Sequence, residues 1–193
     1  MYWEIKITDE EFKECSKFAD ESSKTQREYR SGGTNFRSLS QIRSDTLRGK
    51  IAEVAVKKFL KQAPLSVKEV DLDFDIYPRG TWDRCDFNLN GKKVSVKSSK
   101  HFARYMLLET KDILRGEIFD CYILVLVDEK SRVAKIAGYA LQDEIKTISE
   151  KTLDLKKGEN IPETSVPLDA DNRARKKDHL HNSEIEWVNF VKS

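Results

Sequence analysis

Apolar residues recur at helical spacing between residues 44 and 62, which predicts a helix that ends before Pro64. On a helical wheel the apolar side chains form one wide arc, made up of Ile51, Ala52, Ala55, Val56, Phe59 and Leu60. Glu53 lies at the margin of this arc, so its carboxylate can lie along the edge of the core. Nearer the start of the chain, a capping-box pattern predicts a helix over residues 8–24, and the glycine-containing segment 31–35 then interrupts regular structure.

Alternation of apolar and polar residues predicts strands in the middle of the chain. The run over residues 69–76 places apolar residues between acidic ones, as in a half-buried strand. Its acidic side could hold a metal ion or could be a solvated strand face. Farther along, the turn pair Asn90-Gly91 separates two alternating runs, at 82–88 and 92–99. This pattern predicts a hairpin, because both turn residues tolerate positive φ.

The second half of the chain predicts further α/β structure. The run over residues 121–127 is apolar on both faces, which is typical of a central strand that is covered on both sides. The other predicted elements are a helix at about 102–114, a strand at 133–139 and a short helix at 141–149. Together they predict an α/β fold in which helices flank a mixed central β-sheet. We expect a single domain over residues 1–193, with 8–24 and 150–193 as recognition or accessory elements.

The composition narrows the class of protein. The 193 residues are 38% hydrophobic and 35% charged, which is enough for a core beneath a very polar surface. No apolar run approaches the length of a bilayer span, and the charged start of the chain is unlike a signal peptide. The three cysteines, Cys15, Cys85 and Cys121, form no CxxC pair, so a zinc ribbon and a disulfide scaffold lose support. We therefore expect a cytoplasmic protein with no membrane partner.

Basic residues are concentrated in two zones, although the net charge is only +2. Seven lie between Lys24 and Lys50, and five lie between Lys92 and Arg104, where no acidic residue occurs. Such zones indicate a surface that binds phosphate on one side of the protein. A chain this rich in charge can also show such clusters by chance, so both interpretations stay open.

The two-residue turn sets the register of the predicted hairpin. In this register Asp86 lies opposite Ser95, at about 5 Å between Cβ atoms, and Lys97 lies on the diagonal at about 7 Å. A carboxylate, a hydroxyl and an ammonium group thus converge on one side of the sheet. This patch is either a cross-strand ion pair on a wet face or part of a functional site.

The order of these residues resembles the PD-(D/E)XK, or restriction-endonuclease-like, nuclease superfamily over about residues 44–145. The resemblance rests on three short motifs, which are Gly49-Lys50-Ile51-Ala52-Glu53 in the helix, Asp86-Phe87 in the first hairpin strand and Val94-Ser95-Val96-Lys97 in the second. It implies a restriction-endonuclease-like core and Mg²⁺-dependent hydrolysis of phosphodiester bonds in DNA, with Mn²⁺ as a substitute. A type II restriction enzyme that acts on double-stranded DNA as a homodimer is the first expectation, and a junction or repair nuclease is the near alternative.

The resemblance also implies roles for individual residues. The implied metal ligands are Asp86, Glu53 and the carbonyl of Val96. Lys97 would orient the attacking water. Ser95 stands where the superfamily usually has Asp or Glu, and a hydroxyl is a poorer ligand than a carboxylate for a hard cation. The missing carboxylate would come from Glu53 or, alternatively, from Glu109 on the following predicted helix. Ser95 could hold a catalytic water, or it could mark a non-cleaving site that only binds DNA.

Basic residues near these motifs are expected to contact the phosphate backbone rather than the bases. They are Arg37, Arg43, Arg48 and Lys50 near the start of the helix, and Lys100, His101 and Arg104 after the second hairpin strand. Other hydrolase classes fit less well, because the histidines at 179 and 181 have no matching second half and no GxSxG motif is present. No GxxxxGK[ST] loop occurs either, so we expect no nucleotide cofactor.

Overall fold

A five-stranded mixed sheet forms the middle layer of the protein in the computed structural model, which describes residues 3–25, 36–78, 85–114 and 119–193. The strands are β1 (Trp3–Lys6), β2 (Phe87–Leu89), β3 (Lys92–Lys100), β4 (Tyr105–Glu109), β5 (Cys121–Asp128), β6 (Val133–Leu141), β7 (Thr152–Leu155) and β8 (Asn172–Lys176). The helices are α1 (Asp9–Ser22), α2 (Leu39–Lys61), α3 (Thr110–Leu114), α4 (Gln142–Lys146) and α5 (Glu184–Lys192). The central sheet has the strand order β1-β6-β5-β3-β2, and a second sheet has the order β4-β8-β7.

Strand β5 is buried on both faces, as its sequence predicts. Its alternate residues belong to two different apolar clusters, with Ile123 in the first and Leu124 in the second. The first cluster contains residues of α1, α2 and α5, and the second contains residues of β4, α3 and α4. The chain is therefore arranged in three layers, with long helices on one face of the central sheet and the small sheet with two short helices on the other. The mixed α/β fold with a helix-flanked central sheet is confirmed at this level.

The predicted hairpin forms in the predicted register over Phe87–Leu89, but the ladder ends there, so the expected pair of Asp86 and Ser95 lies just beyond it. Phe87 pairs with Val94 and Leu89 pairs with Lys92. Asn90 and Gly91 have φ values of 51° and 84°, the left-handed conformation that this turn requires. On its other side β3 pairs in parallel with β5, and the crossover between the two strands carries β4 and α3.

Residues 69–76 do not form a strand, so that prediction was wrong. Val70 is buried, and Leu72 and Phe74 pack partly against the core, which explains the alternation, whereas Ile76 is exposed. No neighbouring strand among the described residues pairs with this segment. One of its backbone carbonyls, that of Asp73, instead accepts a hydrogen bond from the side chain of Lys50.

The predicted helix over residues 102–114 was wrong in its first part. Tyr105–Glu109 form β4, and only Thr110–Leu114 are helical. Met106 and Leu108 are buried, and β4 pairs with β8 from the end of the chain. This long-range pairing overrides the local helical pattern. The predictions for 31–35 and for 82–84 lie outside the described residues.

The C-terminal part, for which the sequence gives only weak patterns, forms β7, β8 and α5. Trp187 in α5 is fully buried and packs edge-on against Phe59 of α2, with ring centroids 4.9 Å apart. It also lies 4.7 Å from the ring of Tyr139 in β6. The end of the chain is therefore part of the core. Among the described residues, none of the helices has the length and apolar character needed to cross a membrane.

Candidate functional site

Asp86, Ser95 and Lys97 lie together where the hairpin opens. Asp86 directly precedes β2, and its carboxylate accepts hydrogen bonds from the backbone N–H of Val96 (2.6 Å) and from the Ser95 hydroxyl (3.3 Å). The pairing of β2 with β3 ends at Val94, so beyond that point the Asp86 carboxylate occupies the position of a strand partner. The positive charge of Lys97 acts on the same carboxylate.

The carboxyl group of Asp86 has an unusual environment. Burial raises its pKa above the usual value, because a charged carboxylate loses solvation there. The charge of Lys97, the N–H of Val96, the hydroxyl of Ser95 and the charge of Lys50 act in the opposite direction but do not cancel this effect. A further cation beside Asp86 would therefore favour its charged form.

The register of β3 against β5 decides which side chains share a face. Ser95 pairs with Tyr122, and Lys97 pairs with Leu124. Both partners belong to the apolar cluster on the face that the small sheet covers. Val96 packs on the opposite face, against the helices. Ser95 and Lys97 thus point away from α2 and towards the small sheet.

A cleft of about 1100 Å³ opens beside these residues. Its floor contains Asp86, Ser95, Val96 and Lys97. One wall comes from the start of α2, and the other comes from β4, α3 and the segment 161–172. The polar patch of Asp86, Ser95 and Lys97 that the sequence predicts therefore lines a large, two-walled cleft.

The walls of the cleft differ in charge. Arg37, Arg48, Lys97 and Lys100 contribute basic groups from α2, its approach and β3. Arg37 lies 3.6 Å from Asp45, and Arg48 pairs with both Asp45 and Glu129. Neither Lys97 nor Lys100 forms an ion pair within the described part of the chain. The two lysines are therefore better placed than the arginines to bind an added phosphate.

The opposite wall is acidic. Glu109, Asp112 and Asp169 line it, together with the buried Asn172. Sequence reasoning did not identify Asp112, Asp169 or Asn172 as site residues. No local pattern marks them, because it is the pairing of β4 with β8 that brings these parts of the chain to the cleft.

Lys50 does not lie where a phosphate contact was expected. Its side chain is only 7% exposed, and its ammonium group lies 2.5 Å from Glu53 and 2.5 Å from the carbonyl oxygen of Asp73. The rings of Phe18 and Phe74 lie 4.4 and 5.0 Å away. Lys50 therefore stabilises the layer between α1 and α2, and its expected contact with DNA is corrected to an internal ion pair.

The negative charge of Asp86 acts on the carboxyl group of Glu53. Burial raises the pKa of Glu53 to about 7, against the opposing charge of Lys50, and the negative charge of Asp86 raises it further. Glu53 is not among the described residues that line the cleft. It approaches Asp86 from the side of α2.

The sequence predicts that Glu109 lies in a helix, but it is the last residue of strand β4. It lines the cleft, and its carboxylate lies 3.1 Å from the ammonium group of Lys111. The two alternative carboxylates thus approach Asp86 from different sides, Glu53 from the helical layer and Glu109 from the small sheet.

The remaining basic residues divide into paired and exposed groups. Arg43 bonds to Asp20 and to the Ser16 hydroxyl, which ties α2 to α1. Arg104 pairs with Glu163. Lys100 and His101 are exposed at the end of β3.

The donor set can be compared with the needs of a hard divalent cation. Mg²⁺ takes oxygen ligands, keeps several waters and is held by one or two carboxylates in many proteins. Asp86, one further carboxylate and a backbone carbonyl fit this description. Among the described residues, no group of three or more His, Cys, Asp or Glu side chains is arranged to hold a metal ion.

Comparison with known proteins gives no match. No protein family, no curated protein and no solved structure matches this chain. The functional argument therefore depends on the residues of the cleft.

Proposed function

We propose that the protein is a Mg²⁺-dependent DNA endonuclease with a restriction-endonuclease-like core. The observation that carries this proposal is the convergence of Asp86, Ser95 and Lys97 on the floor of one cleft. The order of elements supports it, since a helix with a core-edge glutamate precedes the hairpin and a parallel buried strand follows it.

The proposed chemistry assigns a role to each group. Asp86, the carbonyl of Val96 and one further carboxylate hold Mg²⁺, which when bound polarises the scissile phosphate and lowers the pKa of a water. Lys97 orients the attacking water and offsets the negative charge that grows in the transition state. Ser95 holds a water in place. The interaction between Glu53 and Asp86 supports Glu53 as the second carboxylate, and the position of Glu109 in the cleft supports the alternative.

The cut itself has two candidate forms. A type II restriction enzyme would cut both strands as a homodimer, and a structure-specific junction or repair nuclease would recognise DNA shape. A second candidate function is a non-catalytic DNA-binding module, which is favoured by Ser95 in place of a carboxylate. Cleavage that requires Mg²⁺ distinguishes the two nuclease forms from the binding module.

The test is incubation of purified protein with supercoiled plasmid and linear DNA in Mg²⁺, Mn²⁺ or EDTA. We expect cleavage with either metal and none in EDTA. Lys97→Ala should lower the rate by about 10²–10³-fold, the cost of removing one group that stabilises transition-state charge. Lys93→Ala is the matched control, because Lys93 is exposed on the same strand.

The outcomes separate the candidates. Discrete fragments would support a restriction enzyme, and nicking or smearing would support the structure-specific alternative. Intact DNA with salt-sensitive binding would support the binding module and overturn the nuclease. The single variants Glu53→Gln and Glu109→Gln are assayed side by side. The one that abolishes cleavage identifies the second carboxylate.

A further inference from the structure

An exposed aromatic side chain marks the end of β3, the strand that carries Ser95 and Lys97. Phe102 is 67% exposed. It lies in a turn that is closed by a hydrogen bond from the N–H of Ala103 to the carbonyl of Lys100 (2.9 Å). The turn therefore presents the ring to solvent from a defined backbone.

Two polar side chains lie against this ring. The ammonium group of Lys100 lies 5.9 Å from the centre of the Phe102 ring, within cation–π range. The ring of His101 meets it edge-on at 5.2 Å. An aromatic face beside a cation is the combination with which proteins bind an exposed nucleic-acid base and its phosphate.

The position of this turn relates it to the cleft. Lys100 lines the cleft and, at about 3.3 Å per residue, lies about 10 Å along β3 from Lys97. Both lysines line the same cleft, so a strand whose phosphates contact them passes the turn that carries Phe102.

The charge of the cleft orients such a strand. The carboxylates of Asp112 and Asp169 repel phosphate from one wall, whereas Lys97 and Lys100 attract it from β3. The face of a base is free for stacking only where the base has left the duplex stack. The ligand that fits these groups is therefore DNA with an unpaired nucleotide.

We infer that the protein binds DNA at an unpaired nucleotide, whose base stacks on Phe102 while neighbouring phosphates contact Lys100 and Lys97. This inference rests on the proposed function for its choice of DNA, and it selects the structure-specific form of that function.

The test measures binding without cleavage. Fluorescence anisotropy in EDTA compares two labelled oligonucleotides, a fully paired duplex and the same duplex with one unpaired nucleotide. The proteins are wild type, Phe102→Ala, Phe102→Trp and the control Ile185→Ala, which removes an equally exposed apolar side chain from α5.

We expect wild type to prefer the DNA with the unpaired nucleotide. Phe102→Ala should weaken binding to that DNA by roughly 5- to 150-fold, the loss of one base–aromatic stack, and should leave the paired duplex nearly unchanged. Phe102→Trp and Ile185→Ala should both keep the preference for the DNA with the unpaired nucleotide. Lys100→Ala should instead weaken both DNAs and reduce the salt slope by about one unit.

Two results would overturn the inference. One is equal affinity of wild type for the two DNAs, and the other is a preference that survives in Phe102→Ala. Cleavage in Mg²⁺ is scored separately, so a Phe102-dependent preference without cleavage would refute the nuclease and support the binding inference. Cleavage without the preference would do the reverse.

Discussion

Replacing Glu53 by glutamine tests the electrostatics of the buried pair that Glu53 forms with Lys50. Burial raises the pKa of Glu53 to about 7, although Lys50 opposes this shift, and the usual value for a glutamate is 4.5. Between these two pH values the folded protein holds a proton that the unfolded chain releases. The free energy of unfolding therefore falls as the pH rises through this range, and the stabilising contribution is lost once the pH exceeds the folded-state pKa.

The size of the effect follows from the two pKa values. A single carboxyl group that titrates near 7 when folded and near 4.5 when unfolded lowers stability by about 2–3 kcal/mol between pH 5 and pH 8. The side chain of Glu53 is only 17% exposed, so solvent screens this effect little. Asp86, whose pKa is also raised, contributes with the same sign. Glu186 has a pKa of about 2 and does not titrate in this range.

The assay is urea unfolding in metal-free buffer at the two pH values, followed by tryptophan fluorescence, since Trp187 is fully buried. We expect the free energy of unfolding of wild type to fall between pH 5 and pH 8 by an amount that includes the contribution of Glu53. In Glu53→Gln this contribution should be absent, so the free energy should fall less. Glu150→Gln is the control, because Glu150 is exposed in the turn before β7. Equal pH slopes for wild type and Glu53→Gln would refute the reasoning.

Three further predictions concern the site, the packing of β6 against the C-terminal segment, and α2. Ser95→Asp places a second carboxylate beside Asp86, so we expect the free energy of unfolding in EDTA to fall by about 1–3 kcal/mol. Mg²⁺ should raise the melting temperature of this variant more than that of wild type, and equal rises would contradict the prediction. Gly138→Ala would bring a Cβ within 2.7 Å of the carbonyl oxygen of His181 at a φ of 134°, so urea unfolding should show a loss of about 1–3 kcal/mol. Gly49→Ala, which meets nothing within 4 Å inside α2, should instead stabilise by about 0.5–1 kcal/mol, and effects of the same sign in the two glycine variants would show the argument to be wrong.

Local chemistry explains which parts of the fold the sequence predicts well. The capping box at Thr8 begins α1 as expected, and the Asn90-Gly91 turn sets the register of the hairpin. The apolar run of β5 is buried on both faces. Each of these features depends on residues that are neighbours in the chain, so the pattern contains the needed information.

The errors arise where distant residues decide the structure. β4 is a strand because β8 pairs with it, and nothing near Met106 indicates that partner. The segment at 69–76 has the alternation of a strand, yet it packs one face against the core without a ladder. The acidic wall of the cleft depends on the same long-range pairing, which is why Asp112 and Asp169 could not be identified from sequence.

The assignment of Lys50 fails for a related reason. A basic residue near the start of a predicted helix resembles a phosphate contact, whereas the position of Asp73 and of the rings of Phe18 and Phe74 around it depends on tertiary packing. Glu53 was placed correctly at the edge of the core, but its partner was not foreseen.

The balance of charge around Asp86 links these observations. Asp86 and Glu53 carry two negative charges, and Lys50 and Lys97 carry two positive charges when all four groups are ionised. With Ser95 these four groups carry no net charge when all of them are ionised. An aspartate at position 95 would leave one excess negative charge in a poorly solvated place, which a divalent cation would offset. Under the proposed function residue 95 thus sets how strongly folding and cation binding are coupled, and the Ser95→Asp variant is expected to be less stable without metal for this reason.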